Sequence, residues 1–328
     1  MPGKSALQSM AGRLALLLAC LLPCSTLSLA DSTGSEPLKV RPAAVAGSWY
    51  PADREQLGAL LDQLLAGAPA APDAPAPETI RAIISPHAGY RFSGATAAAG
   101  YARVVGRQVQ RVIVIGPAHR EDFAGISIPT VDAYETPLGP VPLDTAAIAR
   151  LRNSPLTSTV RAAHDREHSI EMQLPFLQRV LEPGWKLLPV LVGRLQGPDY
   201  RQVAALLQPL ADATTLVVAS SDFIHYGQRF GFQPFPPDAR AGERIEQLDM
   251  GLYARIAARD AEGLVRQRQT YGLTVCGYRA IAILLEMLPP DASTYLADYT
   301  TSGELEGNFR ESVSYLSILV TADQPLAR

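Results

Sequence analysis

The chain has 328 residues, 47% of them hydrophobic, with 29 Lys and Arg against 32 Asp and Glu and a formal net charge of −3. That length allows one large α/β domain or two small ones. A mildly acidic chain without a basic run argues against a nucleic-acid partner.

Met1–Ala30 reads as an export signal. Lys4 and Arg13 give a basic start, Leu14–Leu22 an apolar core, and Ser28-Leu29-Ala30 a small-x-small cleavage site. The core is broken by Pro23 and is too short to span a bilayer, so no transmembrane helix is expected. The expected location is periplasmic or secreted; cleavage before Cys20 with lipid attachment is the rival. Cleavage after Ala30 leaves Asp31–Arg328, 298 residues with 27 basic and 32 acidic groups and a formal charge of −5. Cys20 and Cys24 leave with the signal, so Cys276 has no intrachain disulfide partner. A lone exported thiol is buried, metal-bound or reactive.

Val45–Pro51 sets Trp49 and Tyr50 beside Gly and Pro, which reads as a structured loop. Asp53 caps an amphipathic helix to Ala66 with Leu57, Leu60, Leu61, Leu64 and Leu65 on one face. Ala68–Pro77 is a stiff Pro/Ala linker within the domain. Arg81–Ser85 and Arg111–Gly116 are short β-branched runs that read as buried strands. Between them Ser93–Val105 reads as a helix capped by Ser93. This β-α-β unit predicts parallel, neighbouring strands. Each strand stops at a Pro and delivers a histidine, His87 or His119, to the C-terminal edge, where open α/β sheets bind ligands. If both hold one ion, their ring nitrogens lie within roughly 5 Å of each other. A turn bearing a solvated histidine is the plain reading of either one; two at matched positions weigh against it.

Gly125–Pro129 and Val141–Leu143 read as short strands and Asp144–Arg152 as a helix. His164, in a polar loop, reads as solvated. His168 and Glu171 are three apart and share a face if their segment is helical; Pro175 leaves that register open. Leu187–Val192 and Thr215–Ala219 are further hydrophobic strands, with a helix over Tyr200–Leu210. The second runs into Ser220-Ser221-Asp222-Phe223-Ile224-His225, so Asp222 and His225 reach the same edge. Glu243–Arg259 and Asp260–Arg268 read as helices. Cys276 stands just before Arg279–Leu288, a helix apolar enough to be buried, and strands close the chain near Tyr295–Tyr299 and Ser312–Val320. The expected fold is a single α/β domain over residues 31–328, its central, mostly parallel sheet flanked by helices.

Imidazoles together with a thiolate suit Zn, Cu or Fe, and three ligands leave a position open. A helix N-terminus favours the thiolate of Cys276. Plainer roles compete. Cys276 fits a small buried hydrophobe, His168 a histidine oriented by a carboxylate, and Asp222 a helix cap. There is no H-E-x-x-H, paired C-x-x-C, Walker loop or G-x-S-x-G motif. Ser220 and Ser221 with His225 give a weak hydrolase signal.

Six motifs, in order, resemble the Memo family. They are Ala46-Gly47-Ser48-Trp49-Tyr50, Pro86-His87-Ala88-Gly89-Tyr90, Gly116-Pro117-Ala118-His119, Glu167-His168-Ser169-Ile170-Glu171-Met172, Ser220-Ser221-Asp222 with His225, and Cys276-Gly277. The resemblance runs from about Val40 to Val320. It implies a fold like that of class III extradiol dioxygenases. It also implies a metal centre of iron or copper held by His87, His119 and Cys276. Asp222 and His225 would line the pocket and handle protons or substrate. His168, Glu171 and Tyr90 would lie in the pocket or behind the ligands. In extradiol dioxygenases a carboxylate joins two histidines on Fe(II). Cys276 in its place argues against ring cleavage, because a thiolate changes metal preference and redox behaviour. Animal members are signalling proteins and often carry a Cys where this chain has Ile224 and a second His where it has Arg120. Bacterial members, the AmmeMemoRadiSam system protein B group, imply a functional link to radical-SAM and AMMECR-type proteins. The expected function is a metal-dependent oxidoreductase acting on an unidentified small-molecule or peptide ligand. The rivals are a non-enzymatic module that binds metal or an anionic peptide and, more weakly, a metal-assisted hydrolase.

Overall fold

The computed structural model describes residues 38–70 and 73–327. The expected export signal, with Cys20 and Cys24, lies outside the described residues. Four strands, Ile80–Ser85, Arg111–Pro117, Lys186–Val192 and Thr215–Ser220, form the middle of the sheet and run parallel. Their interiors are almost wholly buried, as near-continuous Val, Ile and Leu runs require when helices cover both faces.

One expectation fails here. Ile80–Ser85 and Arg111–Pro117 are parallel but are not neighbours. Thr215–Ser220 lies between them, with Ile84 and Ile115 both registered on Ala219. A helical crossover makes two strands parallel; it does not forbid a third from inserting between them. The parallel core is also framed by antiparallel edges. Ser312–Thr321 pairs antiparallel with Ile80–Ser85 and with Ser293–Thr301, and Ile126–Ser127 pairs antiparallel with Lys186–Val192. The expected strand at Val141–Leu143 falls instead in a separate three-stranded sheet. That sheet is formed by Val40–Arg41, Ala133–Thr136 and Gly139–Pro142.

The helices flank the sheet in two groups. Tyr90–Tyr101 packs with Arg54–Ala66 and Leu174–Val180, and Tyr278–Met287 packs with Asp199–Leu207 and Ala261–Tyr271. Asp53 caps Arg54–Ala66 as expected, accepting from Gln56 N at 2.9 Å. The Tyr90–Tyr101 helix starts three residues before its expected cap. Gly89 takes the cap position, and Ser93 Oγ turns back to Ala88 O within the first turn. Tyr278–Met287 is buried along nearly its whole length, as its composition predicts. No helix among the described residues is long and apolar enough to cross a membrane.

His164 is a second correction. It is buried, with Nε2 3.1 Å from Ser127 Oγ and Nδ1 2.9 Å from Tyr134 OH. Burial first, and the nearby Arg41 charge second, pull its pKa down to about 4. The unfolded chain therefore takes up this proton before the folded chain does. The stability it contributes is complete above the unfolded value near 6.5 and is lost as pH falls toward 4, about 3 kcal/mol in all. His164→Gln should flatten the fall in unfolding free energy between these pH values. Equal slopes for variant and wild type in denaturant titrations would refute the assignment.

Candidate metal centre

Three neighbouring parallel strands each place a polar side chain two residues past their ends. Ser85 leads to His87, Pro117 to His119, and Ser220 to Asp222. Cys276 reaches the same place from the start of the Tyr278–Met287 helix. Gly277 permits the approach, since a Cβ there would lie 2.3 Å from Ser220 O and 2.5 Å from Ser221 Cβ.

The hydrogen bonds fix which histidine nitrogens face the site. Ser220 Oγ donates its single proton to Ser169 O at 2.6 Å, so it can only accept from His87 Nδ1 at 2.8 Å. Nδ1 of His87 therefore carries the hydrogen. Its Nε2 presents a lone pair 3.1 Å from Cys276 Sγ. His119 Nδ1 lies 2.8 Å from the Glu167 carboxylate, so in the neutral ring Nε2 is the nitrogen with the lone pair. These are the tautomers that metal-binding histidines adopt, each held by a partner on the other nitrogen.

Glu167 was not singled out by sequence. It accepts from His119 N at 2.7 Å, from His168 N at 3.0 Å and from Ser169 N at 2.9 Å, besides the His119 ring. Burial alone would raise its pKa. The His119 hydrogen bond and charge outweigh that and hold it well below the usual carboxylate range. The one legible signal was its place directly before His168 in a polar loop. Ser220, which sequence marks only as a weak hydrolase signal, orients His87 instead, and Gln173, which sequence does not mark, donates Nε2 to Ser220 Oγ at 2.8 Å.

His168 is nearly buried, stacked on His119 at 4.5 Å between ring centres and covered by Trp49 at 4.3 Å. Asp222 Oδ1 accepts from His87 N at 2.7 Å and Ala88 N at 3.3 Å, so it braces the loop and caps no helix. Burial raises the Asp222 pKa despite the histidines around it. His225 points Nδ1 at two carbonyls, Phe223 O at 2.8 Å and Thr274 O at 2.9 Å, which leaves Nε2 as its acceptor. Trp49, His87, His119, His168, Asp222 and His225 line one cavity of about 380 Å³, with Arg120 at its edge. A larger groove of about 710 Å³ between Arg54–Asp62 and Arg179–Trp185 holds none of the histidines.

Glu171 and Tyr90, expected in the pocket or behind the ligands, do not line the cavity. Glu171 is fully buried and takes hydrogen bonds from Arg41, Ala44 N, Val45 N and Tyr50 OH. Tyr90 sends its hydroxyl to Met172 O at 2.7 Å and packs on Phe176. Both anchor the scaffold behind the pocket. The expected effect of the helix terminus on Cys276 is also overruled. Burial first, then the Asp222 charge, push its thiol well above the ordinary value; only a cation would reverse this.

The donor set fits a metal ion. His87, His119 and His168 each offer a ligand atom within 4.8 Å of the others, and so do His87, Asp222 and Cys276. Ligand atoms on one tetrahedral ion lie about 3.3–3.8 Å apart, so either trio needs only small shifts to close. The expected ligands thus divide. His119 and Cys276 fall in different trios that share His87.

A parallel sheet whose strand ends converge tautomer-locked histidines, a carboxylate and a thiol defines an α/β protein with a candidate metal centre at its ligand edge. The sequence comparisons give that class its family. The family model described as Memo-like protein matches residues 41–319, and the chain belongs to the Memo family. Protein memo-1 homolog of Caenorhabditis elegans is 34% identical over 289 residues, covering 84% of this chain and 81% of that protein. A MEMO1 family protein of Aquifex aeolicus is 31% identical over 285 residues, covering 86% and 99%. Protein MEMO1 of Mus musculus is 32% identical over 295 residues, covering 86% and 97%. A solved structure of an uncharacterized Escherichia coli K12 protein overlaps 65% of this chain and 86% of its own at TM-score 0.45 and 15% identity, too loosely to carry an argument.

Proposed function

We propose that this Memo-family protein is a metal-dependent redox protein that holds iron or copper through His87, His119 and Cys276. One observation carries the reading: the fixed tautomers of His87 and His119 leave both Nε2 lone pairs for one cavity, beside the Cys276 sulfur. An imidazole and thiolate donor set favours ions with one-electron chemistry over Mg or Ca. A bound iron or copper ion would supply that electron transfer and an open position for a substrate. The chain's own groups would orient and accept protons. Ser220 and Glu167 hold the ligand rings in place. His225 Nε2 is placed to take a proton from a bound molecule, since its Nδ1 is committed to carbonyls. Asp222 lines the same cavity and braces the His87 loop through its backbone N–H. Export of the mature chain belongs to the same proposal, with Cys276 as its one remaining thiol.

The test uses Cu(I), the soft ion that most needs the sulfur. Cys276→Ser should lower Cu(I) affinity about a hundredfold or more, because losing even an outer partner of a ligand costs 10–100-fold. Cu(I) should also protect the wild-type thiol from alkylation. The metal-loaded protein should consume oxygen or peroxide in the presence of a reductant. Unchanged affinity in the variant would remove Cys276 from the site. Tight metal binding with no consumption would favour a binding module instead.

A further inference from the structure

We propose that His168 is itself a metal ligand, so that the centre offers two ligand sets that turn on His87. The inference rests on the metal-centre reading above and extends it beyond the expected ligands. Neither ring nitrogen of His168 makes a hydrogen bond among the described residues, and Nδ1 is buried without a partner. Glu167 Oε1 is 3.4 Å from that Nδ1 but poorly aligned for a bond. The same oxygen already holds the His119 ring and the His168 backbone N–H. One carboxylate therefore places both rings. They lie 15° from parallel, and each offers a ligand atom within 4.8 Å of the other. Trp49 covers the outer side of His168 and keeps the ring from swinging to water. A buried imidazole with unmet polar atoms, within ligand reach of two others, needs a partner. A metal ion satisfies it and its neighbours at once.

The two sets differ in softness. His87, His119 and His168 form an all-imidazole face suited to borderline divalent ions. His87 with Cys276 and Asp222 adds a thiolate suited to a soft monovalent ion. The experiment is Co(II) titration of the full-length chain, followed by absorption spectroscopy, for wild type, His168→Gln, His168→Phe and Cys276→Ser. His168→Phe keeps the ring stack with Trp49 and His119, and thermal melting checks that each variant folds. Both His168 variants should lose about tenfold or more in Co(II) affinity. Cys276→Ser should bind Co(II) about as well as wild type, and the wild-type spectrum should lack a thiolate-to-cobalt charge-transfer band. Folded His168 variants that bind Co(II) like wild type would overturn the proposal alone. So would a thiolate band that Cys276→Ser removes together with the affinity. A wild-type chain that binds neither Co(II) nor Cu(I) would overturn this proposal and the metal-centre reading together.

Discussion

His87→Gln is expected to abolish tight binding of both Co(II) and Cu(I). His87 is the one residue common to the two trios of potential ligands. Its removal therefore cannot be offset by moving the ion from the imidazole side to the thiol side. Its ring is also the most firmly placed of the three histidines. The backbone N–H is held by Asp222 and Nδ1 by Ser220, and Ser220 is itself braced by Gln173 and by Ser169 O. That bracing contributes to affinity because the ligand does not have to be ordered when the ion binds. Gln keeps a polar group near Ser220 but brings no nitrogen lone pair to the Nε2 position. The loss should exceed the 10–100-fold or so that removal of an outer partner costs. His164→Gln is the control, since His164 is buried in hydrogen bonds to Ser127 and Tyr134 and belongs to neither trio. If His87→Gln retained either ion within about tenfold of wild type, the shared-ligand arrangement would be wrong.

The parts of this centre that sequence reveals are those fixed by short-range chemistry. β-branched runs ending in Pro-His and Pro-Ala-His locate His87 and His119 past strand ends, and Thr215–Ser220 does the same for Asp222. What sequence leaves open is set by distant partners. Nothing local to Arg81–Ser85 or Arg111–Gly116 says that a strand 100 residues later inserts between them. His164 looks solvated until Tyr134 and Ser127, from separate strands, close over its two nitrogens. The motif containing Glu167, His168 and Glu171 points to His168 and Glu171 and gives Glu167 no role. Only the backbone path tells that Glu167 turns to the histidines while Glu171 turns away to Arg41. For Cys276, the helix-terminus argument had the right sign but a smaller size than burial, which a sequence does not measure.

Glu171→Gln should be among the most destabilising single substitutions in the chain, by about 3–5 kcal/mol. Arg41 and Glu171 are 2% and 0% exposed, with Arg41 Nη1 2.7 Å from Glu171 Oε2. The guanidinium also donates to His164 O and Glu167 O, so it cannot leave for solvent without stripping two more carbonyls. Gln has nearly the shape of Glu but no charge. It would leave a buried cation uncompensated and would turn an NH₂ group toward donors from Ala44, Val45 or Tyr50. A loss of this size lowers the midpoint of a domain this large by on the order of 10 °C. The damage should also reach the metal centre. Glu171 pins Val45 and Tyr50 at either end of the loop that lays Trp49 over His168. In a Trp185→Phe background, Trp49 is the only tryptophan left, and its emission should shift to the red in the Glu171 variant. A variant that melts within a degree or two of wild type, with Trp49 emission unchanged, would show that Glu171 does not anchor this loop.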